Sequence, residues 1–169
     1  MRYTIFFYLF MTIKARLNQP VNQLSILGSW VQAFSSRYVQ ESYEIDWKCI
    51  NVHISTDSEN HVIIEKEPLI HYLPTNISFK KSYDLQEENL LVPVHQPSII
   101  SPSLLLKYEN DEYCILTGSD NLSLFIFTKN ITEFDENCKT DALNKIKSLN
   151  YTTYYKYPIQ LYSNKCNNL

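Results

Sequence analysis

Ile26-Leu27-Gly28-Ser29-Trp30-Val31-Gln32-Ala33-Phe34 is the stretch on which the fold of this chain turns. Only two glycines occur in 169 residues, and a glycine kept in so sparing a sequence does backbone work that a Cβ would prevent. Gly28 stands two positions before a tryptophan, at the head of a strand-like run. The other, Gly118, lies in Thr117-Gly118-Ser119-Asp120-Asn121, between two runs that read as the arms of a hairpin.

Working outward from Trp30, the chain reads as a succession of short strands. Lys48 to Ser55 alternates Ile50, Val52 and Ile54 with Cys49, Asn51, His53 and Ser55, a period of two that gives a strand with one apolar face. Asp57-Ser58-Glu59-Asn60 is a turn, and His61 to Glu67 returns as the next strand. Asn76–Tyr83, Leu90–Val94, Leu104–Tyr108, Glu112–Thr117 and Leu122–Thr128 follow at short, regular spacing, the sign of an antiparallel meander. Pro68, Pro74, Pro93, Pro97 and Pro102 fall at or near strand ends, where a missing N–H does least damage. One helix is expected from Glu133 to Leu149, with Phe134, Cys138, Ala142, Ile146 and Leu149 on one stripe and Thr132 or Asp135 as its cap. Eight strands and a late helix predict an all-β fold: an eight-stranded antiparallel up-and-down β-barrel with one C-terminal α-helix packed outside. Such a barrel removes exposed edges and leaves room for one small ligand.

The expected domains are a signal peptide over 1–15 and a single barrel domain over 16–169. Met1-Arg2 begins positively, and the uncharged run Tyr3 to Ile13 is too short to span a bilayer but fits an export signal cleaved after Ala15. Four cysteines without a CxxC pair argue against zinc or thioredoxin-like chemistry. Sequons at Asn76, Asn121, Asn130 and Asn150 are candidate glycosylation sites. Together these features predict a secreted, extracellular protein. Hydrophobic content of 44% with 20% charged residues is ordinary for a globular domain. A net charge of −3 and the lack of any Lys/Arg cluster argue against nucleic acid as partner, and no stable membrane insertion is expected. The richness in Asn and Tyr is read as background composition.

The order of these motifs resembles the lipocalin family. Gly28-Ser29-Trp30, then a long loop into Cys49-Ile50-Asn51-Val52-His53-Ile54-Ser55, looks like a lipocalin opening, most like the branch that includes apolipoprotein D and the insect bilin-binding lipocalins. LLLKYEN (104–110), Tyr113–Thr117 and Leu122–Asn130 resemble that branch's sixth to eighth strands, and the tail from Gln160 to Cys166 its C-terminal segment. Two departures stand beside the matches. Lys107-Tyr108 lacks the acidic residue usual before that tyrosine, and Lys129 replaces the arginine that packs across the motif tryptophan. Lysine keeps the cation–π contact with Trp30 but not the planar fork. The resemblance implies a Cys49–Cys166 disulfide. The family's usual second bridge lacks its N-terminal partner here, since no cysteine precedes Gly28. Cys138 is the remaining thiol, so Cys114–Cys138 is the expected second pair.

No paired carboxylates, phosphate loop, HExxH or nucleophile elbow is present, so no catalytic residues are expected. Glu65, Glu67, Glu87 and Glu88 read as solvated charges. His53, His61, His71 and His95 lack metal-ligand spacing. His53 stands opposite Val52 and Ile54, which reads as a surface or rim position. One lipocalin relative is a lipid-endoperoxide isomerase with a cysteine nucleophile near this strand, a minority role for a free Cys49. The inward faces are expected to carry Val52, Ile54 and Phe79, and the resemblance adds Phe125 and Phe127 as pocket aromatics, together an apolar cup for a fatty acid, sterol, retinoid, bilin or similar lipid. No cofactor is expected, though a lipid, bilin or haem is a candidate ligand. Two roles compete with carriage of such a ligand: capture of a protein receptor or target by the outer loops, and the isomerase.

Overall fold

In the computed structural model the described residues are 25–70, 78–86, 89–95, 101–163 and 166. The expected signal segment, Pro74, Pro97, Asn76, His71, Glu87 and Glu88 lie outside them. Nine strands form one antiparallel sheet: β1 (Gly28–Ser36), β2 (Lys48–Thr56), β3 (Val62–Ile70), β4 (Phe79–Gln86), β5 (Leu90–Pro93), β6 (Leu104–Glu109), β7 (Tyr113–Gly118), β8 (Leu124–Thr128) and β9 (Pro158–Gln160). The hydrogen-bonded order runs from β2 through β8 to β1, and β1 also pairs with β2, which closes an eight-stranded barrel. The lower half of β1 meets β2, with Trp30 opposite Val52, while its upper half turns to β8 and β9 across an irregularity between Gln32 and Phe34. That one-residue slip reverses the facing of the strand. Trp30 therefore joins the barrel interior, whereas Ala33 and Phe34 join the outer core beneath the helix.

The late helix sits on the outer face, as an α-turn (α2, Ile131–Glu133), a π-helical turn (Phe134–Cys138) and an α-helix (α3, Lys139–Ser148) in unbroken succession. Its cap is Asn130, not Thr132 or Asp135: the Asn130 side chain accepts from the backbone N–H groups of Thr132 and Glu133. Phe134, Ala142 and Ile146 are buried against Tyr113, Ile115, Leu124 and Ile126. The Tyr113 hydroxyl donates to Asp141 at 2.6 Å, and the Lys145 ammonium lies 4.0 Å from the centre of the Tyr108 ring.

Scarcity of glycine has a structural counterpart. Asp46, Asn60, Asn89, Asn121 and Asn150 all adopt positive φ, between 56° and 64°. Asparagine and aspartate tolerate this region because their short polar side chains bond locally. These asparagines thus make turns that glycine makes elsewhere. Gly28, at φ 124°, occupies a region open only to glycine.

Gly118 is required for space rather than torsion. A Cβ there would lie 2.4 Å from Asp120 Oδ1 and 2.8 Å from Ser123 Cβ. The Asp120 carboxylate cannot swing aside cheaply, because it accepts from Leu122 N, Ser123 N and Ser123 Oγ. Gly118→Ala is expected to cost about 1–3 kcal/mol, the usual scale of overpacking, measured as a lower urea midpoint with unchanged slope.

Cys49 and Cys166 form a disulfide, with Cα atoms 5.4 Å apart. Cys114 and Cys138 do not pair; both are free thiols. The reason is strand alternation. Tyr113 and Ile115 face the helix, so Cys114 faces the interior with Leu116, while Cys138 packs on the opposite side of the sheet. All six residues of β7 are buried, which erases the polar–apolar alternation that would have shown its phase. Burial pushes the Cys114 thiol far above its ordinary range. Alkylation of the native protein is therefore expected to mark Cys138 alone, with Cys114 reacting only after denaturation; peptide mapping of a native Cys114 adduct would contradict this placement.

Candidate functional site

The closed end of the barrel is built by the opening motif. Trp30 is buried and its indole N–H donates to the Ile26 carbonyl at 2.8 Å. The Lys129 ammonium stands 5.3 Å from the centre of the Trp30 ring. At the other end the chain between β1 and β2 folds across the mouth. It contains a short helix, α1 (Arg37–Ser42), anchored by backbone bonds from Arg37 to Tyr157 and Tyr38 to Tyr155. Val39 and Trp47 are buried beneath it, and the Tyr43 hydroxyl lies 3.4 Å from Ser123 Oγ on the neighbouring β7–β8 loop.

From this loop Glu44 enters the barrel, where only 2% of its side chain is exposed. Its carboxylate accepts from Lys66 Nζ at 2.6 Å and from Gln32 Nε2 at 2.7 Å. Gln40 reaches the same carboxylate at 3.5 Å. Lys66 belongs to β3 and Gln32 to β1, both fixed by the sheet. The Lys66 ammonium also lies 3.8 Å from the centre of the Phe125 ring and 5.4 Å from that of Phe127. A desolvated cation over an aromatic face is worth up to about 2 kcal/mol. Even so, burial pushes the Lys66 ammonium below its ordinary range, with Glu44 opposing. Tyr83, also buried, is pushed up to about 12 by burial, with a Ser101 hydrogen bond opposing.

These groups leave an internal cavity of only about 20 Å³, lined by Ile64, Lys66, Phe79, Phe125, Phe127 and, from the loop, Tyr43. That is room for one water. Three of the five expected pocket residues, Phe79, Phe125 and Phe127, border this cavity. Val52 and Ile54 point into the same core but do not border it. A larger depression of about 540 Å³, open to water, is lined by Trp30, Val31, Val52 and Lys66 as well as by the polar residues Ser29, Asn51, His53 and Glu65.

Glu44, Gln32, Lys66 and Lys81 were absent from the expected site. Lys66 carried a signal: it shares the inward phase of Val62 and Ile64, a charge on an apolar face. Lys81 shares the phase of Phe79 and Tyr83, and its ammonium lies 4.9 Å from the centre of the Phe79 ring. Glu44, in an irregular loop, carried none. Glu65 pairs with Lys80 at the surface and Glu67 is exposed. Exposed His53 lies 3.4 Å from Ser29 Oγ. No group of three or more metal-ligating side chains occurs among the described residues. Asn121, Asn130 and Asn150 are exposed.

A closed eight-stranded barrel with an outer helix and a covered mouth defines a lipocalin-like calyx. No family model and no curated protein matches the sequence. Among solved structures the chain is similar to Per a 4, a major allergen from cockroaches, with TM-score 0.59 and 14% identity over 85% of this chain and 88% of that one. It is also similar to an odorant-binding protein, OBP1, with TM-score 0.52 and 10% identity over 85% of this chain and 93% of the other. Identities this low carry the fold alone. Among the described residues no helix is long and apolar enough to cross a membrane.

Proposed function

We propose that this protein binds a small hydrophobic ligand inside the barrel and carries or sequesters it outside the cell. One observation supports this above the rest: Tyr43 and Glu44, which reach in among the strand side chains lining the small cavity, come from a loop, residues 37–47, and not from the barrel wall. Tyr43 and Glu44 leave with that loop, and a cup floored by Val52, Ile54, Phe125 and Phe127 opens beneath it. The cavity of about 20 Å³ is then the closed state of a calyx. Apolar burial at about 25 cal/mol per Å² supplies the affinity, and loop opening subtracts from it. The similarity to an odorant-binding protein agrees with this reading, as does the disulfide with an oxidising setting. With Cys49 engaged by Cys166, the nucleophile an isomerase would need is not a free thiol.

Titration with N-phenyl-1-naphthylamine, a neutral fluorescent lipophile, tests the proposal. Saturable one-to-one uptake, seen also by native mass spectrometry of the secreted protein, is the expected result. No uptake of this probe or of a fatty acid by a protein whose circular dichroism is that of an intact barrel would refute it. The second reading, capture of a protein target, draws on the filled interior and on Tyr154, Tyr155 and Tyr157, which are 61%, 55% and 54% exposed beside α1.

A further inference from the structure

Resting on the calyx reading, we infer that the ligand is an amphipathic carboxylate, whose headgroup takes the place of Glu44 on Lys66 and Gln32. Glu44 is an internal stand-in for that headgroup. Its carboxylate is held by two donors that belong to the barrel wall, Lys66 Nζ at 2.6 Å and Gln32 Nε2 at 2.7 Å. When the loop swings away, Glu44 and Gln40 leave with it, but Lys66 and Gln32 remain on β3 and β1. The opened cup then holds a buried ammonium and a buried amide N–H with nothing to neutralise them.

Charge count gives the sign of the ligand. Among the described residues lining the cavity, the ionic side chains are Lys66 and Lys81. Lys81 has no ion pair with a carboxylate among the described residues; its ammonium lies over the face of Phe79. Closed, Glu44 offsets one of the two cations. Open, the cup keeps the buried Lys66 cation in an aromatic wall of low dielectric with half-buried Lys81 beside it, so an anion is favoured and an amine disfavoured. A neutral lipid would leave Lys66 unpaired, and that penalty discriminates against it more than any apolar contact does. The closed network is itself incompletely satisfied, since buried Gln32 Oε1 accepts no hydrogen bond among the described residues. Exchange of one carboxylate for another leaves the Lys66 pairing intact and adds the burial of the ligand's chain. This makes Glu44 a competitor that sets the threshold for uptake.

Displacement of N-phenyl-1-naphthylamine by dodecanoate, methyl dodecanoate and dodecylamine tests the assignment in the unaltered protein. Dodecanoate is expected to bind at least tenfold more tightly than its methyl ester, and the amine most weakly. Glu44→Gln is expected to raise dodecanoate affinity about tenfold, and Lys66→Met to bring the acid-to-ester ratio close to one. Should either variant fail to fold, the comparison of acid with ester in the unaltered protein still decides. Equal affinity for acid and ester, or a preference that survives Lys66→Met, would overturn the carboxylate assignment while uptake of the neutral probe upholds the calyx. Failure of probe, acid and ester alike to bind would overturn both.

Discussion

Glu44→Leu alone is expected to lower the unfolding free energy by about 3–5 kcal/mol, because it strands the Lys66 ammonium in the barrel wall. Lys66 is 7% exposed and sits mid-strand, hydrogen-bonded to β2 on one side and β4 on the other, so no loop movement can carry it into water. The paired change, Glu44→Leu with Lys66→Met, is expected to recover most of that loss, since replacing both partners removes the charge along with its counter-charge. Lys66→Met alone should cost less than Glu44→Leu, because the orphaned Glu44 belongs to a mouth loop that can release it to solvent. A urea-denaturation double-mutant cycle measures all three differences. A cost below about 1 kcal/mol for Glu44→Leu would mean that Lys66 is not held in the barrel as described here. The asymmetry between the single variants also reports which partner moves, the same point on which loop-gated uptake depends.

The disulfide supplies the second large effect. Cys49 and Cys166 are separated by 117 positions, and cross-linking so long a loop removes about 5 kcal/mol of conformational freedom from the unfolded chain on the simple entropy model. Cys166→Ser is accordingly expected to lower the melting temperature by roughly 10–20 °C in a chain of this size. Differential scanning calorimetry with and without reductant checks it, with Cys138→Ser, at a free thiol, as the control. Coincident melting of Cys166→Ser and the unaltered protein would show that the bridge adds nothing to stability. The local consequence is at the barrel's outer edge. Cys49 N donates to Leu161 O at 3.0 Å, and Leu161 is fully buried, so the bridge reinforces a tail that is already docked.

Much of the barrel is legible in the chain because short-range rules govern it. Alternation in Lys48–Ser55 assigns a strand whose ends differ by one residue from β2, Lys48–Thr56. Other boundaries moved where a local stop signal was overridden. Pro68 reads as the end of a strand, yet β3 continues through it to Ile70, with Pro68 opposite Ile50. The short strand β9, Pro158–Gln160, exists only because the upper part of β1 turns toward it. No periodicity in three residues can announce that.

By itself, then, the order of residues determined the strand rhythm, the apolar helix stripe, the motif around Trp30 and the apolar phase that carries Phe79. Each depends on neighbours within a few positions, so the chain writes it locally. Three things were decided only by the assembled barrel. Strand alternation turns Cys114 away from Cys138, and burial of β7 on both sides removes the contrast that would have marked that face in the sequence. The cup is nearly filled because a loop, and no strand, lies across it. Glu44 meets Lys66 across 22 positions of sequence, and nothing short of closing the barrel brings a loop carboxylate onto a lysine that alternation had already turned inward.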